Sequence, residues 1–229
     1  MVYRKLNLDK TIETIDLLRK RIEDRFPDSG LAKVCTELRE IAKESTAKIS
    51  FISKPIIWLR LGFGILIIVG LSTLIYSISL LKISMKEIQL VDLVQGAEAS
   101  VNDIIFIGAA IYFLFRTETL IKRKKALTAL HELRTIAHVI DMHQLTKDPK
   151  SLNARGTENS PKREMNNYEL SRYLDYCSEM LSLTSKVSAL YANDYNDEVV
   201  LNTINEIEDL TTSLSGKVWQ KIMILKSEE

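Results

Sequence analysis

The sequence predicts an all-α integral membrane protein in which a two-helix transmembrane hairpin is joined to a cytoplasmic helical bundle. Three observations carry this expectation. Residues 55–81 read PIIWLRLGFGILIIVGLSTLIYSISLL, with Arg60 as the only charge. A second apolar run, Ile104 to Phe115, is followed at once by RTETLIKRKK. Elsewhere apolar residues recur at three- and four-residue spacing among charged ones, and 8 Gly and 4 Pro are too few to punctuate an all-β chain.

In chain order, the first segment sets Ile12, Ile15, Leu18, Ile22 and Phe26 on one helical face and breaks at RFPDSG, where Pro27 and Gly30 make a turn. The second sets Leu31, Val34, Leu38, Ile41 and Ile52 on one stripe, completing a cytoplasmic region over residues 1–54. Pro55 suits the first turn of the membrane helix, where its missing N–H costs nothing, so a kink or break is expected at Lys54. The first span, about 55–81, is long enough for a hydrocarbon core of roughly 30 Å. A buried core helix would need a large surrounding domain, which the charged remainder does not supply. A signal peptide would start earlier and be shorter.

The second span is the informative one. Ile104 to Phe115 reaches only about 18 Å at 1.5 Å per residue, so less apolar residues must complete a crossing over about 91–118. A helix beginning near Leu90 brings Asp92, Gln95, Gly96, Glu98, Ala99, Asn102 and Asp103 into an arc of about 160°, opposite Leu93, Val94, Val101, Ile104 and Ile105. Carboxylates at membrane depth must turn to water or protein. One hairpin encloses no cavity, so this face implies a homo-oligomer in which Asp92, Glu98 and Asp103 form acidic rings that attract cations. Asn102 joins the same pore face, and Phe106, Ala110, Phe113 and Leu114 continue it inward as a hydrophobic constriction. A second reading places GAEASVND in an outside loop, with Ser100 as N-cap and Asn102 and Asp103 in the first turn; the short span is then accommodated by a thinned bilayer or by burial in the oligomer.

Basic residues set the orientation. Lys43, Lys48 and Lys54 precede the first span, with Arg60 able to snorkel to the same interface, and Arg116, Lys122, Arg123, Lys124 and Lys125 follow the second. The loop between offers only Lys82 and Lys86, which puts both termini in the cytoplasm, Trp58 and Tyr112 at the inner interface, and the protein in a membrane such as the bacterial inner membrane. The IKRKK cluster abuts the membrane, so anionic lipid headgroups rather than nucleic acid are its expected partner.

Past the second span, Ala126, Leu130, Leu133, Ala137 and Ile140 continue one helix over 122–145. Residues 146–165 lack periodicity and hold two prolines and a glycine, as a linker would. Two further helices fill 166–229, striped by Leu170, Tyr173, Cys177, Met180, Thr184, Val187 and Tyr191, then by Val200, Ile204, Ile207, Thr211, Leu214, Val218 and Leu225. These stripes are expected to pack on the cytoplasmic bundle. The last turn from Trp219 is more apolar than one face requires.

Catalytic patterns are absent: no phosphate-cradling glycine loop, no nucleophile elbow, no HExxH. No enzyme and no cofactor are expected. The weak metal candidates are His138 and Asp141; His131 lies one heptad earlier, about 10.5 Å along the helix and too far to share an ion within one chain. Cys35 and Cys177, without CxxC partners, read as reduced thiols.

The order of parts over roughly residues 30–145 (amphipathic cytoplasmic helices, a two-span hairpin with a short outside loop, a long helix leaving the membrane) resembles the SLATT-type two-span membrane effector proteins. That resemblance is one of architecture and implies a pore-forming effector without carrying over site residues. The sequence thus points to a homo-oligomeric pore or ion channel with a cytoplasmic sensing or gating domain, with a membrane-anchored adaptor that recruits a cytoplasmic protein partner as the alternative.

Overall fold

The computed structural model describes residues 5–80, 90–147, 149, 165–193 and 195–227, and among these the chain forms α-helices and no strand. The helices are α1 (Leu8–Arg25), α2 (Gly30–Ser53), α3 (Ile57–Leu80), α4 (Leu90–Leu145), α5 (Asn167–Ala189) and α6 (Glu198–Ser227). The expected outside loop falls on residues 81–89, outside the described residues; of the expected linker only 146, 147, 149 and 165 are described. Two compact units divide the chain, a bundle of residues 1–53 and 123–229 and a hairpin unit of residues 54–122.

In the bundle, local chemistry sets the helix ends. The Asn7 side chain accepts from Lys10 N at 3.0 Å and opens α1. The turn after α1 passes through Asp28 at φ 55°, a left-handed conformation that a short Asp tolerates. Ser29 Oγ then accepts from Ala32 N to start α2. Gly30, in the first turn of α2, faces the His143 imidazole so closely that a Cβ there would collide with the ring. Asn166 and Glu169 form a reciprocal capping box at the start of α5.

The core lies between these helices. Ile15, Leu18 and Ile22 of α1, Leu31, Cys35 and Leu38 of α2, Leu130, Leu133 and Ile140 of α4, Leu174, Cys177 and Met180 of α5, and Ile207 and Val218 of α6 are all fully buried. Every position of the stripes expected on α5 and α6 is buried, hydroxyls included. Thr184 donates to Met180 O and Thr211 to Ile207 O, which pairs those hydroxyls inside the apolar interior. Tyr191 spans the core to donate to Ser45 Oγ at 2.9 Å. Burial pushes the Cys35 and Cys177 thiols up to about 12, since a thiolate would lose its water there.

The hairpin unit consists of α3 and the first part of α4. Helix α2 stops at Ser53 and α3 starts at Ile57, so the break falls around Lys54 and Pro55, where a residue before proline is driven out of the helical region. Among the described residues two helices are long and apolar enough, by length and composition, to cross a membrane, and only 11% and 6% of their most apolar windows are buried. The core helix of a soluble domain is mostly buried, and these windows are not.

Candidate functional site

Helix α4 is continuous from Leu90, so residues 96–103 are helical and the loop reading of GAEASVND, with Ser100 as N-cap, is corrected. The glycine at 96 does not end the helix, because a single Gly costs only about 1 kcal/mol relative to Ala in a helix of this length.

Burial separates the expected pore face into two strips. Asp103, Ile107, Ala110, Leu114, Thr117 and Ile121 are half-buried and recur at three- and four-residue spacing. On α3 and the residue before it, Ile56 and Leu59 are buried and Phe63 and Ile67 half-buried at the same kind of spacing. The seam of the hairpin is marked where the Phe63 and Phe113 rings meet, with centroids 6.2 Å apart and planes 44° apart, and where Glu118 reaches Ile56 and Arg60. Asp103, Ala110 and Leu114 thus sit on the half-buried strip. The other strip is exposed and holds Glu98, Asn102 and Phe106, Phe106 at 73% of its surface. Phe113 belongs to both, touching Phe63 yet 61% exposed. The backbone at Asp92 is helical, while its side chain lies outside the described ones.

At one end of the seam stands a group that the sequence reading passed over. Glu118, only 5% exposed, accepts from the Ile56 N–H at 3.3 Å, from Arg60 Nε at 3.0 Å and Nη2 at 3.4 Å, and pairs with Lys122 Nζ at 2.9 Å. One carboxylate therefore pairs with two cations, leaving a net positive charge of one on the cluster, and satisfies an orphan donor at the positive start of α3, tying α3 to α4. A buried carboxylate is stable only when so paired, because desolvation otherwise costs more than the attraction returns. The signal was present in the sequence: Arg60 is the lone charge in the first span, and Glu118 is an acid within the basic run closing the second.

The basic residues expected as membrane anchors are spent unequally. Arg60 and Lys122 are held by Glu118. Arg123 makes a forked contact with Asp197, at 3.0 Å from Nε and 2.8 Å from Nη2, which holds the guanidinium above its ordinary pKa through the hydrogen-bonded carboxylate. Lys125 lies 3.9 Å from the centroid of the Phe51 ring. Arg116 and Lys124 are exposed and make no ion pair among the described residues, and Trp58 is exposed.

His138 is exposed, and Asp141 accepts from Gln144 Nε2 at 2.6 Å. Among the described residues no three His, Cys, Asp or Glu side chains come together as metal ligands would. Comparison of the chain with protein-family models, with curated proteins and with solved structures finds no match.

Proposed function

We propose that this chain is an integral membrane protein of the inner-membrane type that assembles as a homo-oligomeric pore for small cations. Helix α4 lines the pathway and the helical bundle lies in the cytoplasm as a sensing or gating domain. The observation that carries the reading is the exposed strip of α4: Glu98 and Asn102 stand uncovered on a helix whose other exposed residues between Val101 and Phe115, Ile104, Ile105, Tyr112 and Phe115 among them, suit lipid. Polar groups in such a position are stable only where water or another copy meets them. Rings of Glu98 raise the local cation concentration, and Phe106, one to two turns further in, narrows the path to an apolar constriction that gates by dewetting. Arg116 and Lys124 then face headgroups or the inner mouth. This reading agrees with the resemblance in architecture to two-span effectors.

Flux through vesicles reconstituted with the purified protein tests it. Glu98→Gln is expected to lower the preference for cations over anions severalfold, and Phe106→Ala to raise flux by widening the constriction. A membrane-anchored adaptor, whose spans only tether it, carries no flux and responds to neither substitution.

A further inference from the structure

The bundle portion of α4 has a second, unoccupied seam. Its first seam, Ala126, Leu130, Leu133, Ala137 and Ile140, is fully buried in the core. On the opposite side Thr128, His131, Thr135, His138, Met142 and Leu145 are all exposed, Met142 at 67% and Leu145 at 60%. Their spacing is three, four, three, four, three, the alternation that keeps one face of a helix against a partner helix. At 100° per residue they fall within about 100° of arc. The strip is bordered on one side by Glu132, paired with Lys48 of α2 at 2.7 Å, and on the other by Arg134, paired with Glu206 of α6 at 3.2 Å. Charges thus line its edges and none stands on its crest between Thr128 and Leu145, the exposed Lys124 closing the strip one turn before Thr128.

The outer face of α1, by contrast, surrounds its one exposed Leu17 with Lys10, Glu13, Lys20 and Asp24. The crest of α4 instead carries Thr, His, Met and Leu. That composition fits one occupant in particular. In a parallel contact between two copies of the chain each crest residue meets its own counterpart, so a charged crest would repel itself, whereas an uncharged one with ion pairs along its edges does not.

We infer that the outer face of α4 from Thr128 to Leu145 packs on the same face of a second copy of this chain, forming a parallel helix pair outside the membrane. The inference rests on the proposed homo-oligomer, because copies inserted in one membrane in one orientation are the ones whose α4 helices run parallel. Six side chains on one helix cover only about 400 Å² per copy, roughly half of what a stable complex in water buries. The contact therefore needs the spans to concentrate the copies in the bilayer.

Disulfide trapping of the full-length chain in membranes tests it. Cys35 and Cys177 are buried, so an introduced cysteine is the reactive one. Thr135→Cys and His138→Cys are expected to give disulfide-linked dimers at least tenfold faster than Thr212→Cys, an exposed position on α6. Adding Met142→Glu to Thr135→Cys is expected to slow trapping severalfold, since it sets like charges against each other. Equal rates at all three positions overturn the inference. If the rates are equal while the extracted complex still contains four or more copies, the α4 contact falls and the pore reading stands; if the complex is a monomer, both fall.

Discussion

At the residue scale, Glu118 ties the two helices of the hairpin unit together. Glu118→Ala removes the acceptor of the Ile56 N–H and leaves Lys122 and Arg60 without their carboxylate. Because the Arg60 side chain is half-exposed and can be hydrated, the expected loss is about 1–3 kcal/mol rather than the full cost of a buried broken pair. Glu118→Gln, which keeps an acceptor, is expected to lose less. Thermal unfolding in detergent followed by circular dichroism measures the difference. The thiols give a second test. With Cys35 and Cys177 pushed up to about 12, the folded chain retains protons that the unfolded chain releases from about pH 9. Their contribution is whole below that pH and is lost as pH rises toward 12. Between pH 8.5 and 10.5 the denaturation midpoint should fall, and fall less in a Cys35→Ala, Cys177→Ala variant. At pH 7.5 neither thiol should react with a maleimide until the bundle unfolds.

At the element scale, α6 is fixed at its start by Asp197, whose carboxylate accepts from Val200 N at 3.2 Å while the Arg123 fork grips it. Asp197→Ala should cost about 1–2 kcal/mol for the lost cap and leave Arg123 unpaired, visible as a lower unfolding midpoint with unchanged helix content at low temperature. The helices themselves were largely legible in the sequence, because an apolar stripe at 3.6-residue period reports a buried face whatever it packs against. Ile15, Leu18 and Ile22 or Leu130, Leu133 and Ile140 needed no knowledge of their partners. The division of the α4 polar arc was not legible. Which of Asp103 and Asn102 is half-buried and which exposed depends on what packs against the helix, and periodicity within one helix holds no such information. For Glu118 the two odd charges are visible in the sequence, but their pairing across 58 residues is set by the register of an antiparallel pair, which the sequence does not spell out.

At the scale of the whole molecule, the hairpin unit and the bundle have opposite economies of surface. The bundle buries most of its apolar residues, Leu17, Met142, Leu145 and Trp219 being exposed exceptions, whereas the hairpin unit exposes Leu61, Ile65, Leu66, Ile68 and Val69 on α3 and Ile104, Ile105, Phe106, Tyr112 and Phe115 on α4. Soluble monomers rarely expose a contiguous apolar face of this extent, and under the proposed function lipid or further copies of the chain cover it. What distinguishes a pore from an anchor is the number of copies around the exposed strip of α4. The most direct measurement is the mass of the complex extracted into lipid nanodiscs, with the lipid and scaffold contribution subtracted. Four or more chains per particle is the expected result, since that many α4 helices can surround an axis with Glu98 and Phe106 facing it. A monomer or dimer leaves no enclosed path and would contradict the pore.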